Sequence, residues 1–345
     1  MRKVLIIRFS AMGDVAMLVP VVKCLATQHP DTEFTVLTRK HLTPLYGWMP
    51  DNVKTMGIDL NKYKKIVGLN RLYRELKAMR FDAVADVHDV LRTMYLRWRF
   101  RLGGAKVSVI DKDKASKKRL LGHGIDAKTL TLMTTRYAQV FHSLGLDVSL
   151  QALPCFSTQG EDFSLLNELY GEKKTGEHWI GIAPFAAHPG KIYPLEKMHQ
   201  VAQELVKRGC RVFLFGAGKS EKECLSAWAD GKDIVSTCGQ LGGLHNEMLL
   251  MSRLDAMLAM DSANMHIAAI VGIPIVSVWG ATHPKTGFTA WQQPISNIIQ
   301  RAELECRPCS IYGNKPCQFG DLRCMTLIKP EDIIVKIMQV IGKEN

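Results

Sequence analysis

Short apolar runs recur along this chain, each followed by a polar or glycine-bearing turn and then by residues at helical spacing. Lys3–Phe9 reads as the first strand. It runs through Ser10-Ala11-Met12-Gly13-Asp14 into a helical pattern from Val15 to Gln28, with Pro20 inside its first half. Glu33–Leu37 is a second strand, followed by a helix near Leu42–Trp48 and a weak strand near Val53–Met56. Leu69–Met79 is an amphipathic helix, and Phe81–Asp86 a buried strand ending in His88-Asp89. A basic helix over Arg92–Leu102, a strand over Lys106–Ile110 and a helix over Thr129–Leu144 complete this half. Strands alternating with helices predict a parallel sheet.

The period weakens over Gln151–Thr175, which is the expected domain boundary, and restarts at His178. Trp179–Ala183 predicts a strand, Leu195–Arg208 a helix, Arg211–Phe215 a strand, and Gly216-Ala217-Gly218 the turn into another helix. Ile234–Thr237 and Ala256–Met260 predict further strands. After Ala256–Met260 come Asp261-Ser262-Ala263-Asn264, a helix over Met265–Val271, the stop Gly272-Ile273-Pro274, and the strand Ile275–Trp279. Two strand ends and one helix start meet there. Ligands bind at the carboxyl ends of strands in open α/β sheets, and helix N-termini favour anions. A ligand site is one reading of Asp261-Ser262-Ala263-Asn264; a helix cap is the other. Pro330-Glu331-Asp332 starts a last helix to Ile341, with proline and acids where a first turn favours them.

Length sharpens this picture. At 345 residues, two domains are expected. We place them at 1–160 and 175–328, followed by a C-terminal helix at 329–345. Hydrophobic residues make up 47% and charged residues 23%, in the range of a soluble, well-cored protein. No apolar run approaches the roughly 18–20 residues that span a bilayer. The first strand is too short for a signal peptide and no small-residue cleavage site follows it, so the expected location is the cytoplasm.

Charge adds a partner. The net charge is +12, and the stretch from Arg92 to Arg119 carries ten Lys/Arg against two acids, which is +8 of that excess. Nucleic acid, a membrane surface or a phosphorylated substrate would each fit, as would a solvated basic face. Lys112, Lys117, Lys118 and Arg119 read as a mobile loop placed to meet phosphates. Asp111-Lys112-Asp113 has the form of a metal-holding DxD, but sits among cations that would repel a divalent ion.

Four blocks, in this order and spacing, resemble glycosyltransferase family 9, the lipopolysaccharide heptosyltransferases: RFSAMGD with Pro20 downstream, IGIAPFAAHPGKIYPLEKM, FGAGKSE, and MDSANMHIAAIVGIPIVSVWGATHP. The resemblance covers nearly the whole chain. It implies a GT-B fold, two Rossmann-like domains whose parallel sheets face a central cleft, with acceptor on the first and nucleotide-sugar on the second. It implies an inverting, metal-independent transfer of a sugar, heptose by family default, to a lipopolysaccharide core or related glycolipid. Asp14 matches the expected general base. Lys191 matches a phosphate-binding lysine, Glu221 an acid for the ribose hydroxyls and Asp261 a sugar-contacting acid. Ser262, Ala263 and Asn264 place amides near the diphosphate, and His266 either fills the role of the family histidine or, one turn into the helix, packs structurally. Arg97, Lys112, Lys117, Lys118 and Arg119 are then candidates to grip an acidic acceptor. The implied partners are a nucleotide-sugar such as ADP-heptose, a phosphorylated glycolipid, and the cytoplasmic face of the inner membrane; no cofactor, catalytic metal or nucleic acid is expected.

Two other classes stay open on sequence: a nucleotide-sugar-binding protein without catalysis, and a basic nucleic-acid-binding protein. Cys306-x-x-Cys309, Cys317 and Cys324 cluster before the last helix. They are either thiols or a structural zinc set, although the second CxxC of a zinc ribbon is missing.

Overall fold

The computed structural model describes residues 1–123 and 128–342. It divides into two compact units, one formed by Met1–Lys112 with Leu132–Phe156, the other by Asp113–Thr131 with Ser157–Asn345. The segment 113–131, expected in the N-terminal domain, belongs instead to the second unit.

In the first unit the strands are β1 (Arg2–Ile7), β2 (Thr32–Arg39), β3 (Val53–Ile58), β4 (Ala83–Asp86) and β5 (Lys106–Val109). Its helices are α1 (Met12–Gln28), α2 (Lys65–Ala78), α3 (Leu91–Leu102) and, beyond the excursion into the other unit, α5 (Met133–His142). Every strand pair is parallel, in the order β3-β2-β1-β4-β5. β1 is central, so Val4, Leu5, Ile6 and Ile7 are all fully buried and the strand is a continuous apolar run. One face of the sheet packs through Leu5, Ile7 and Val84 on Leu72 and Leu76 of α2 and on Leu96 and Phe100 of α3.

The second unit starts with α4 (Lys114–His123), a helix where a mobile loop was expected. Leu120 on it and Leu130 beyond it are buried with Ile311, and Phe288 packs against them. That apolar contact gives a strongly basic segment a place to fold. The rest comprises α6 (Ser164–Tyr170), β6 (His178–Ala183), α7 (Leu195–Lys207), β7 (Cys210–Leu214), α8 (Lys219–Trp228), β8 (Ile234–Ser236), α9 (Leu244–Met251), β9 (Ala256–Met260), α10 (Ala263–Val271), β10 (Ile275–Trp279), β11 (Ile298–Gln300), α11 (Arg323–Thr326) and α12 (Pro330–Val340). Its sheet is also all parallel, in the order β11-β10-β9-β6-β7-β8. α12 is part of this body: Ile333, Ile334 and Ile337 lie in one cluster with Ile182 and Leu258 of the sheet and Val201 of α7. Residues 343–345 of the expected C-terminal segment lie outside the described residues.

Chain order reverses between β1 and β4 in the first sheet and between β6 and β9 in the second. Loops leaving the carboxyl ends of such neighbours diverge to opposite faces and leave a crevice for a ligand. These two switch points position the candidate residues.

Candidate active site: two switch points

At the switch point of the first unit, the loop after β1 carries Asp14 and the loop after β4 carries His88. Asp14 is the third residue of α1, not the residue before it. Its Oδ2 accepts the Ala11 N–H (3.2 Å) and lies 2.8 Å from Nη2 of Arg8. The Arg8 side chain is 9% exposed and that of Asp14 23% exposed, so the carboxylate is the solvent-facing member of the pair. Capping and an open carboxylate edge thus coexist. Arg8 also donates from Nη1 to Val87 O, tying the end of β1 to the end of β4.

His88 was read only as a strand ending. Its Nδ1 accepts the Phe9 N–H (3.5 Å), which leaves the proton on Nε2, 3.3 Å from Ser10 Oγ. Burial, and then the Arg8 charge, push the His88 pKa down to about 4, against a smaller opposing pull from Asp14. The imidazole is therefore neutral at neutral pH and adds no charge beside Asp14. The signal available in the sequence was its place just after a buried strand.

The acids of this loop also account for two expected acceptor residues. The fully buried Asp86 takes the Arg97 guanidinium on Oδ2 (2.9 Å) and the His88 and Asp89 N–H groups on Oδ1 (3.1 and 2.9 Å). Asp89 takes Arg97 at 2.6 Å and Lys112 at 3.4 Å. Arg97 and Lys112 are therefore neutralised within the first unit and shape its loop. Lys117 lies in the second unit, where its ammonium donates to Tyr312 Oη (3.0 Å). Lys118 and Arg119 are exposed on α4.

At the switch point of the second unit, Lys191 follows β6 and Asp261 follows β9. Lys191 Nζ and Asp261 Oδ2 are 2.9 Å apart, and Thr282 Oγ1, from the end of β10, donates to the same oxygen (2.7 Å). The exposures are reversed here: the Asp261 side chain is 6% exposed and Lys191 15%. Gly313 packs flat on the lysine stem, since a Cβ there would come within 2.7 Å of Lys191 Cγ. Gly190 and Gly280 meet so closely that a Cβ on Gly280 would sit 2.8 Å from Gly190 O.

Neither Asp261 nor Ser262 caps α10. Ser262 occupies the N-cap position in extended conformation, but its side chain makes no cap bond, and its Oγ is buried without a hydrogen-bond partner. Asp261 is committed to Lys191 and Thr282. The first turn, starting at Ala263 and Asn264, therefore has no cap from the Ser262 side chain at its N-terminus. His266 is buried one turn further on. Glu221 folds back so that Oε2 accepts the Ala217 N–H (2.8 Å) in the loop after β7, whereas Glu223 is exposed beside Lys219.

The turn after β10 is held by Arg307, which is fully buried. It donates to Gly280 O, to Trp279 O (3.0 Å), to Thr282 O (2.8 Å) and to Arg301 O (2.8 Å). Cys306, Cys309 and Cys324 lie near its charge. Burial raises the Cys309 and Cys324 thiols, the latter to about 11, while backbone N–H groups of Phe319, Leu322, Gly320 and Asp321 outweigh burial and lower that of Cys317. Among the described residues, no group of three or more His, Cys, Asp and Glu is arranged to hold a metal ion, and no helix is long and apolar enough to cross a membrane.

Residues 69–318 match the family described as glycosyltransferase family 9 (heptosyltransferase). The chain is 24% identical to lipooligosaccharide heptosyltransferase 2 of Haemophilus influenzae over 99% of each sequence. It is also 24% identical to an Escherichia coli lipopolysaccharide heptosyltransferase 3, covering 84% of this chain and 85% of that one. Among solved structures it resembles E. coli ADP-heptose lipopolysaccharide heptosyltransferase II with a TM-score of 0.73 at 19% identity, over 99% of each chain. A family 9 glycosyltransferase from Veillonella parvula gives 0.76 at 20% identity, over 99% of this chain and 98% of that one. The fold is GT-B, and the chain belongs to glycosyltransferase family 9, the heptosyltransferases.

Proposed function

We propose that this glycosyltransferase transfers heptose, with inversion and without a metal, from ADP-heptose to a phosphorylated glycolipid of the lipopolysaccharide core type, at the cytoplasmic face of the inner membrane. The donor follows from the names of relatives, which include an ADP-heptose lipopolysaccharide heptosyltransferase. The observation that carries the reading is the opposite exposure of the two ion pairs: a carboxylate edge open at one switch point, and at the other an ammonium paired to the acid that precedes an α10 without a side-chain cap.

Each half suits one side of a displacement. The acceptor hydroxyl oxygen attacks the anomeric carbon, its proton passes to Asp14, and the bond to the diphosphate oxygen breaks with its electron pair. A carboxylate within hydrogen-bond reach of a sugar hydroxyl accelerates such a step by roughly 10²–10⁴. A single displacement inverts the centre. The departing diphosphate carries the growing charge, and fixed donors stabilise it without reorganisation. Lys191, the first-turn amides of α10 and the unpartnered Ser262 hydroxyl supply them. In this scheme Glu221 takes the ribose hydroxyls. Arg8 orients Asp14, and Asp261 with Thr282 orients Lys191. Lys118 and Arg119 remain to meet acidic groups of the acceptor.

The test separates the two halves. ADP and ADP-heptose are expected to raise the melting temperature of the protein and of Asp14→Asn alike, while UDP and GDP do not. Asp14→Asn is expected to lose transfer. Full transfer by Asp14→Asn would remove the general base from this scheme. Stabilisation by UDP or GDP in preference to ADP would remove the donor.

A further inference from the structure

Helix α3 is apolar on two faces. Thr93, Leu96 and Phe100 are buried inward. Leu91, Met94, Trp98 and Leu102 point outward, with exposures of 83%, 44%, 56% and 68%. At about 100° per residue these four fall within an arc of roughly 80°, centred opposite the buried face. Arg92 and Arg99 flank the stripe on one side and Arg101 on the other, and α3 contains no acid. Asn70 accepts from Tyr95 Oη (2.5 Å) and from Arg99, locking α2 beside α3. One turn earlier on α2, Ile66 (64%) and Val67 (80%) are also bare, next to the exposed Lys62, Lys64 and Lys65.

Single exposed apolar residues are ordinary on a protein surface. A contiguous stripe with tryptophan at its middle and cations on both shoulders is not, and marks an interaction surface. We infer that the outer face of α3, with the start of α2, is a docking surface for an anionic lipid bilayer. This rests on the glycolipid-acceptor reading. The chemistry commits to a bilayer because the surface joins apolar side chains that insert at the headgroup boundary with arginine and lysine that meet anionic headgroups. Arg97, which the sequence offered for an acidic partner, takes no part, since Asp86 and Asp89 hold it. Position supports the same partner. Leu91 begins the stripe two residues after Asp89, in the loop that carries His88 to the side of Ser10. A lipid anchored where α3 dips into the bilayer keeps its headgroup sugars close to the switch point that holds Asp14.

The experiment is cosedimentation of the full chain with vesicles of phosphatidylcholine, with and without 30% phosphatidylglycerol, at 50 and 500 mM NaCl. Binding is expected for the anionic vesicles alone, weakened at least tenfold by the higher salt, as surface electrostatic attraction is. Trp98→Ser/Leu102→Ser is expected to weaken low-salt binding at least tenfold again, and Arg92→Gln/Arg101→Gln several-fold. Circular dichroism and the ADP-induced thermal shift should be unchanged, because none of the four residues is buried and all belong to the first unit, whereas the donor residues belong to the second. Quenching of tryptophan by spin-labelled lipid should largely disappear in Trp98→Ser. The inference is overturned by absence of binding to anionic vesicles at low salt, or by equal sedimentation of the apolar double variant. It is also overturned if light scattering shows a dimer that this variant splits, which would make the stripe a contact between copies. A delipidated acceptor separates this from the proposed activity. Transfer to it without vesicle binding sinks the docking surface alone. Vesicle binding without transfer from any nucleotide-heptose sinks the activity alone.

Discussion

The two switch points use the same parts in opposite senses. Each joins a cation after one strand to a carboxylate nearby, at 2.8 Å for Arg8–Asp14 and 2.9 Å for Lys191–Asp261. In the first unit the buried partner is the arginine and the solvent meets an acid. In the second the buried partner is the acid and the solvent meets an amine. A site that must accept a proton and a site that must face a leaving diphosphate need opposite outward charges. Which member of an ion pair is buried decides this, and the pairing alone does not.

The strongest way to break the comparison is at Asp14. Asp14→Ala is expected to lower the rate of transfer by about 10²–10⁴ with the donor's thermal shift retained. Asp261→Ala should instead disturb the donor's thermal shift, because it frees Lys191. If the two variants gave the same profile, the contrast between an acceptor side and a donor side would collapse.

Next in size is the way the two buried arginines are held. Arg8 answers a carboxylate and a carbonyl; Arg307 answers carbonyls only, four of them. Arg307→Met removes the donors and leaves those oxygens buried. At about 1–3 kcal/mol for each buried group left unsatisfied, with some relaxation and water entry, a loss of about 3–5 kcal/mol in urea unfolding is expected. A loss below about 1 kcal/mol would mean that the turn after β10 does not depend on this side chain.

His88 in the first unit and His283 in the second are both held neutral at neutral pH. The folded pKa values of His88 and His283 are both lowered from 6.5 to about 4, chiefly by burial, then by Arg8 for the first and by Arg307 for the second. A histidine depressed on folding binds its proton more tightly in the unfolded chain. The stability it contributes is present above about pH 6.5 and is lost as the pH falls toward 4, on the order of 3 kcal/mol for each. Unfolding followed at pH 7, 5.5 and 4.5 is expected to show this decline, and His88→Asn to flatten part of it. A smaller effect belongs to Lys191→Ala, which should weaken ADP-heptose binding by about 10–100-fold, the range of a hydrogen bond to a charged group, and lower stability by about 1–3 kcal/mol, because the buried Asp261 carboxylate loses its cation.

Much of this was legible in the chain, and the reasons for the rest are local. β9 and β10 were bounded as found because both are fully buried apolar runs closed by polar turns. α4 was not, because a basic segment shows no helical period of its own. Its anchor is Leu120 against Ile311, a contact nearly two hundred positions apart. β11 is three residues long at a sheet edge and half-buried, too short for a period to show. The candidate residues can be picked out of the sequence, but their partners cannot. A fully buried acid, Asp86, lies eleven positions before the arginine it neutralises, and Arg307 sits in a polar, cysteine-rich stretch that reads as surface. Charge pattern marks where ions are, and only the fold decides which of them stay free.

The smallest expected effect bears on the stretch where the two readings were level. If Ser262 capped α10, Ser262→Ala would cost about 1 kcal/mol, the usual value of an N-cap side chain. Its Oγ makes no cap bond and is buried without a partner. Removing a buried hydroxyl that is already unsatisfied should change stability by less than about 0.5 kcal/mol, or even raise it slightly, because no hydrogen bond is lost and a desolvated polar atom is relieved. The same hydroxyl gains a partner only when an anion reaches the first turn of α10, so ADP affinity should fall by a few-fold in Ser262→Ala. Urea unfolding and ADP titration together decide it. A stability loss near 1 kcal/mol with unchanged ADP affinity returns Ser262 to the role of a cap, and with it removes one of the donors assigned to the departing diphosphate.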